Sequence, residues 1–279
     1  MKCSKEKIHT DVKKIGVVCK NPDDLPYISA ILAKFQITPI ANFSDIETVL
    51  DETSLFLSLG GDGTLISLCR KLALKKAYIM GVNAGTLGFL TDIELCKLEE
   101  FFKNFLDGRY VIEHPKMLEV RVKKSQKELK KYAFNDVVIT RKNIATMSKI
   151  DAYLDGKYFN TYWGDGVIIT SPIGSTGYNM SAMGPIIYPL SDVFCITPIC
   201  SHSLTQRPLL LPKQYTLSFK NSISNDIVAI IDGQDIINLK DFDEIFVTLG
   251  DKGSNLVKNI EHDYFDVLKR KLGWGQSLK

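Results

Sequence analysis

Between Leu55 and Leu65 an apolar run stops at Gly60-Gly61-Asp62-Gly63-Thr64, and a helical pattern takes over. The residues read as a buried strand, a tight turn and a helix N-terminus. Such a junction suits phosphate. Glycine tolerates positive φ and lets the backbone come close to a ligand, and the free N–H groups of a first helical turn point at an anion. Asp62 does not belong in a turn that binds only phosphate, because a carboxylate repels it. It does belong in a turn that also orients a hydroxyl or holds a metal ion. The plainer reading is an ordinary strand-to-helix turn with Asp62 as its cap, and five residues alone leave both readings open. A second small-residue turn, Asn83-Ala84-Gly85-Thr86-Leu87-Gly88, follows another apolar strand.

Three further places could carry chemistry. Asn135-Asp136 opens the strand Val137-Val138-Ile139 and sets a donor/acceptor amide beside a carboxylate, a pairing suited to adenine edges and ribose hydroxyls. Taken alone it is a strand entry. From Gly164 to Ser181 an apolar strand runs into a turn rich in Gly, Ser and Thr. Its hydroxyls and N–H groups could grip a base or sugar, and Tyr178 offers a stacking face. Asp232-Gly233-Gln234 is a hairpin turn that needs no function of its own. The chain has neither Gly-x-x-x-x-Gly-Lys-Ser/Thr nor Gly-x-Gly-x-x-Gly, so the P-loop and the usual dinucleotide fingerprint are both absent.

The elements that must position these residues change character at about residue 109. Before it, strands are expected at 15–19, 37–41, 55–59 and 78–82. Helices are expected at 25–35, after a capping box Ser44-Asp45-Ile46-Glu47, at 65–74, and from a Thr91 or Asp92 cap to Leu106. Strands alternating with helices predict a parallel sheet covered by helices, with ligands beyond the C-terminal strand ends. Both glycine turns lie at that edge. After residue 109, short β segments follow one another at 110–113, 117–124, 132–140, 149–154, 157–162 and 166–170, then 193–198, 209–211, 215–220, 227–231, 235–239 and 244–249. Asp155-Gly156 and Asp232-Gly233 are two-residue hairpin signals. The fold class is therefore α/β plus all-β. Residues 1–109 form an α/β domain, 110–259 an antiparallel β-rich domain, and 260–279 a segment whose helix packs back on the first.

Composition bounds the rest. The chain has 279 residues, 45% of them hydrophobic and 24% charged, with a net charge of +3. That is ordinary for a globular protein with a core and too weakly basic to argue for nucleic acid. The densest basic stretch, Arg121 to Lys131, is interrupted and reads as a solvated hairpin end. The six cysteines, at 3, 19, 69, 96, 195 and 200, form no Cys-x-x-Cys pair and read as small thiols, several of them buried. Met1 to Lys14 carries no apolar signal region and no run reaches membrane-spanning length, so a cytoplasmic, reduced location without membrane contact is expected.

Together these motifs resemble the NAD kinase family, in order over most of the chain. The resemblance rests on Gly60–Thr64, Asn83–Leu90, Asn135-Asp136, Asp165-Gly166, Thr170–Tyr178 and Ser181, and continues through Thr197-Pro198-Ile199, His202-Ser203-Leu204, Arg207-Pro208-Leu209 and Asp232-Gly233-Gln234. It implies a Rossmann-like N-terminal domain, a β-rich C-terminal domain and a site between them. It also implies phosphoryl transfer to the adenosine-ribose 2′-hydroxyl of NAD, from ATP or polyphosphate, with a divalent cation, Mg2+ being the expected one. Asp62 matches the aspartate that orients or deprotonates the hydroxyl. Gly63, Asn135, Asp136, Asp165, Thr176, Gly177, Tyr178, Asn179, Met180 and Ser181 match dinucleotide contacts, and Thr146, Trp163 and Gln234 match more variable ones. Gly60, Gly61, Gly63, Thr64, Gly85, Thr86 and Gly88 would bind phosphate. No metal-ligating side chain is assigned. Gly177 stands where alanine is usual, Met183 where glycine is common, and Trp163 replaces a basic residue of some members. The resemblance also implies a homodimer or homotetramer. The alternatives are a lipid kinase of the same superfamily, whose glycine turn is shared, and a non-catalytic NAD or NADP sensor.

Overall fold

The computed structural model describes residues 8, 12–41, 45–85, 88–124, 127–143, 146–221, 227–239 and 244–275. They form two units, one made of residues 1–114 and 254–279 and the other of residues 115–253. The first unit runs β1 (Lys14–Cys19), α1 (Leu25–Ala33), β2 (Thr38–Ile40), α2 (Ile46–Leu50), β3 (Leu55–Gly60), α3 (Asp62–Lys71), β4 (Tyr78–Asn83), β5 (Ile93–Glu94), α4 (Leu98–Leu106) and β6 (Tyr110–Glu113). The second holds β7 (Lys116–Lys124), β8 (Lys127–Ala133), β9 (Asp136–Arg141), β10 (Ser148–Leu154), β11 (Lys157–Gly164), β12 (Gly166–Thr170), α5 (Tyr178–Ser181), β13 (Val193–Ile199), β14 (Leu209–Pro212), β15 (Thr216–Asn221), β16 (Ile227–Ile231), β17 (Asp235–Asn238) and β18 (Glu244–Gly253). The chain then returns to the first unit with β19 (Asn255–Asn259) and α6 (Tyr264–Leu272).

The first sheet has the order β2-β1-β3-β4-β19-β6, with β5 beside β4. All its pairs are parallel except β19 with β6. β3 is buried along its whole length, as expected for a parallel strand covered on both faces. Phe101, Phe102 and Phe105 of α4 join Leu57, Leu59, Met80 and Val82 in the core. The final helix belongs to this unit, as expected, and buries Val267 and Leu268.

Several local expectations are corrected. The strands at 110–113 and 255–259, placed by sequence in the β-rich half, pair with each other in the first sheet, and the second of them was missed as a strand. Thr91 and Asp92 do not cap α4. A short strand and a 3-10 turn intervene, and Lys97 occupies the cap position without a side-chain bond. α2 is capped by the Asp45 carboxylate, which accepts from the Glu47 amide, while Ser44 lies outside the described residues. α3 begins at Asp62 rather than Leu65, and stops before Leu74, whose φ is +63.

The second unit is a sandwich of two antiparallel sheets, β11-β10-β15-β18-β7-β8 and β14-β13-β12-β9-β16-β17. Its core takes Val120, Val122, Ile150 and Phe219 from one sheet and Val137, Ile139, Ile169 and Ile196 from the other. The 132–140 segment is not one strand. It is the end of β8 and the start of β9, which lie in different sheets, with Phe134 and Asn135 between them. Hairpin turns form at Asp155-Gly156 (φ +49 and +78) and Asp232-Gly233 (φ +49 and +66), as their sequences require.

In the first unit three buried ionisable groups meet. Lys258 Nζ lies 3.2 Å from Asp92 Oδ1, and His262 Nδ1 lies 3.1 Å from Asp92 Oδ2. Burial alone would raise the Asp92 pKa, but Lys258 and His262 override it and hold the carboxyl below its ordinary range. Such a group stabilises fully above its unfolded value, near pH 4, and gives that up as the pH falls through the lower folded value. Asp92→Asn is therefore expected to be less stable than the wild type at pH 7. Its stability should also fall less steeply below about pH 4, as read by urea unfolding at a series of pH values.

Candidate functional site

In the first unit β3 and β4 are parallel neighbours with Gly60 opposite Asn83. The two glycine turns therefore leave the same sheet edge side by side. Gly60 has φ +156, and a Cβ there would come within 2.5 Å of Thr64 Oγ1. The cap of α3 is Gly61, not Asp62. Gly61 sits at φ −93, and nothing lies within 4 Å of where a Cβ would stand on Gly61 or Gly63. The protein's own packing does not demand glycine at either, and the space left over the first turn of a ten-residue helix is where an anion would approach. The Thr64 amide is spent on the Gly61 carbonyl at 3.1 Å, and the Gly85 amide on Asn83 Oδ1 at 2.7 Å. Thr86 lies outside the described residues.

The Asp62 carboxylate turns across to the second segment. Its Oδ2 accepts from the Phe89 amide at 2.9 Å, and its Oδ1 accepts from the Leu90 and Thr91 amides at 3.2 and 3.1 Å. The Thr91 hydroxyl adds a fourth bond at 3.1 Å. Gly88 serves this contact, since a Cβ there would stand 2.0 Å from Asp62 Oδ1. Asn83, 5% exposed, keeps its Nδ2 without a partner among the described residues.

In the second unit strand alternation builds the site. Val137 and Ile139 point into the sandwich core, so Asp136, Val138 and Thr140 face the other side. There they line a cavity of about 430 Å³ with Asn135, Tyr178 and Gly233. Asn135 Oδ1 is buried without a partner among the described residues, which in a native structure calls for an explanation such as a ligand. Gly177 closes on the same place. A Cβ on it would lie 3.6 Å from Asn135 Nδ2 and 3.9 Å from Asp136 Oδ2, so glycine here leaves open the space an alanine methyl would take.

The hydroxyl-rich turn is turned inward more than its sequence suggests. Ser171 Oγ donates to the Phe134 carbonyl at 2.6 Å, and Thr170 Oγ1 donates to the Asn135 carbonyl at 3.1 Å. Ser175 Oγ donates to the Ile187 carbonyl and accepts from its amide. Gly174 presses on Asn135, whose carbonyl would lie 2.2 Å from a Cβ. Asn179 is fully buried. Its amide donates to the Ser175 and Pro185 carbonyls and accepts from Thr197. Thr176 is buried, Met180 half-buried and Ser181 exposed. Met183 holds φ +64, a conformation glycine takes without strain.

Asp165 pairs with Arg141, Nη2 to Oδ1 at 2.8 Å. Arg141 also donates to the Thr146 carbonyl at 3.3 Å, and Thr140 Oγ1 donates to the Asp165 carbonyl at 2.8 Å. These bonds tie Asp165 and Thr146 to the cavity strand. Trp163, half-exposed, stacks on His202 with ring centroids 5.3 Å apart. Gln234 is exposed on its hairpin turn.

The residue that sequence reasoning set aside is Asp232. Its carboxylate accepts from three successive amides, Phe134 at 2.7 Å, Asn135 at 2.7 Å and Asp136 at 2.9 Å. Read as a turn residue, it is also the clamp that presents Asn135 and Asp136, and only the acidic side chain in the Asp-Gly pair signalled it. Burial first, and then the Asp232 charge, push the Asp136 carboxyl up to about 7. Arg141, Thr91 and Lys258 were likewise not assigned to the site.

Residues 15–110 match the family model of the ATP-NAD kinase N-terminal domain, and residues 134–259 that of the ATP-NAD kinase C-terminal domain. A protein of Campylobacter lari named NAD kinase is 41% identical over 275 residues, 95% of this chain and 97% of that one. A protein of Sulfurimonas denitrificans with the same name is 44% identical over 236 residues, 85% of this chain and 83% of that one. In fold the chain is similar to yeast NADH kinase, solved with NADH, at a TM-score of 0.84 and 24% identity over 96% of this chain and 89% of that one. It is also similar to an Archaeoglobus fulgidus NAD kinase, solved with ATP, at 0.78 and 23% over 93% and 97%. The chain belongs to the ATP-NAD kinase family.

Asp232→Asn removes the like charge beside Asp136 and sets a side-chain NH2 donor where a carboxylate oxygen accepted from the backbone amides. The Asp136 pKa should fall from about 7 toward the ordinary carboxyl range, read by carboxyl-carbon NMR titration. Global stability should fall by about 1–3 kcal/mol for each amide left unpaired, read by urea unfolding.

Proposed function

We propose that the chain transfers the γ-phosphoryl group of ATP to the 2′-hydroxyl of the adenosine ribose of NAD, giving NADP. The observation that carries this reading is the Asp62 carboxylate, fixed by four hydrogen bonds at the start of a helix whose first turn lies open. Phosphoryl transfer asks little covalent chemistry of the protein, and most of the barrier is lowered by positioning and charge stabilisation. Asp62 would hold the hydroxyl in line with the γ-phosphorus and accept its proton. The open turn would take phosphate, and Asn135, whose Oδ1 has no partner among the described residues, would take the nucleoside parts with Asp136 and Tyr178.

A divalent cation, Mg2+, fits as a companion of the donor. Among the described residues no three His, Cys, Asp or Glu side chains gather to hold an ion, and Mg2+ takes its ligands chiefly from phosphates, waters and one or two carboxylates. When bound it neutralises charge on the phosphates. ATP rather than polyphosphate is favoured because the matching family models are those of ATP-NAD kinases, and a lipid acceptor is not favoured on the same ground. Among the described residues no helix is long and apolar enough to cross a membrane. A cytoplasmic setting and a homo-oligomer complete the proposal, the latter to be checked by light scattering.

Purified protein with NAD, ATP and magnesium should form NADP, detected with an NADP-specific dehydrogenase. Asp62→Asn should lower kcat by about 10²–10⁴-fold while remaining folded by circular dichroism. Near-wild-type turnover by a folded Asp62→Asn would remove Asp62 from the mechanism. Saturable NAD binding without turnover on either donor would favour the sensor.

A further inference from the structure

A carboxylate that orients a hydroxyl must itself be held, and its free lone pairs decide which oxygen can act. A carboxylate offers about four acceptor positions, two on each oxygen. Asp62 Oδ1 takes three donors, the Leu90 and Thr91 amides and the Thr91 hydroxyl. Oδ2 takes one, the Phe89 amide. Oδ1 is therefore saturated, and Oδ2 keeps an unused position.

The peptide that joins Leu90 to Thr91 is bound at both ends. Its N–H donates to Asp62 Oδ1 at 3.1 Å, and its carbonyl accepts from Lys258 Nζ at 2.5 Å. A buried ammonium on the carbonyl side polarises the peptide and strengthens the N–H as a donor to the carboxylate. Lys258 is only 5% exposed at its side chain and is matched by Asp92, 7% exposed. Replacing such a buried pair by apolar groups is often neutral or favourable for stability, so stability alone gives a weak reason for a lysine here. Thr91 is fully buried, and Gly88 leaves the Asp62 carboxylate the room it occupies.

We propose that Thr91 and Lys258 are positioning residues for phosphoryl transfer, locking Asp62 through the Leu90–Thr91 peptide and the Thr91 hydroxyl so that Oδ2 is the oxygen presented to the acceptor hydroxyl. This rests on the function proposed above. Thr91→Val keeps the volume, the branching and the backbone amide, and removes only the hydroxyl. It should lower kcat about tenfold, the effect of losing one hydrogen bond to a charged group, with KM for NAD and ATP changed less than about twofold. Thr91→Ser should restore kcat to within about threefold, since it returns the donor.

The decisive readout is a double-mutant cycle. In an Asp62→Asn background, Thr91→Val should cost little further in kcat, because the hydroxyl works through Asp62. Wild-type turnover with multiplicative losses from the two substitutions would overturn the inference and leave the function standing. Absence of NADP formation by the wild type on either donor would overturn the function and, with it, the role given to Oδ2. A thermal-denaturation cycle on the same four proteins reads the Asp62–Thr91 contact without turnover, and additive shifts there would also overturn the inference.

Discussion

In each unit one carboxylate collects three consecutive backbone amides from a distant segment. Asp62 takes those of Phe89, Leu90 and Thr91, and Asp232 takes those of Phe134, Asn135 and Asp136. Irregular backbone between strands must satisfy its N–H groups somewhere. An ionised acceptor does so with bonds about twice as strong as neutral ones, and one side chain serves three donors at once. The exchange is mutual, because the segment that is pinned also fixes the carboxylate. In the first unit the result is an aspartate rigidly set beside an open helix start. In the second it is an Asn-Asp pair presented to a cavity.

The two units manage their remaining buried carboxylates in opposite ways. Asp92 is paired with the Lys258 ammonium and lies beside the His262 ring, and its carboxyl is held below the ordinary range. Asp136 is buried beside the negative Asp232, and burial first and that charge second raise its carboxyl to about 7, so near pH 7 it is shared between its protonated and ionised forms. A carboxyl that carries its proton near neutrality can donate as well as accept a hydrogen bond. Asp232, whose turn conformation alone would explain its presence, thus adds to what burial does at the cavity.

What was legible in the sequence was local. The Asp-Gly hairpins at 155 and 232 follow from backbone conformations that short polar residues and glycine accept. The glycine turns sit at the end of apolar strands because a parallel sheet puts them there. What was not legible depended on pairing across the chain. Nothing near Asp232 announces amides almost a hundred residues earlier, and Thr91 looks like a helix cap until Asp62 claims its hydroxyl. The Ser and Thr content of 170–176 suggests hydroxyls offered to a ligand, but those of Ser171 and Ser175 knit the turn to its neighbours. Residues 255–259 went unread as a strand because so short a segment gains its pairing only from β4 and β6.

That last strand has a consequence for biosynthesis. The first unit is interrupted by the whole of the second, and β19 belongs between two strands that left the ribosome long before it. Until it arrives, the Tyr78–Met80 stretch of β4 lacks its β19 partner, the kind of edge that invites wrong partners. The inserted unit, by contrast, is one continuous stretch free to fold as soon as it emerges. Lys258 rides on β19, so the buried cation that grips the Leu90–Thr91 peptide is delivered only after the second unit. Translation order thereby keeps the Asp62 cradle unfinished until the second unit has been made.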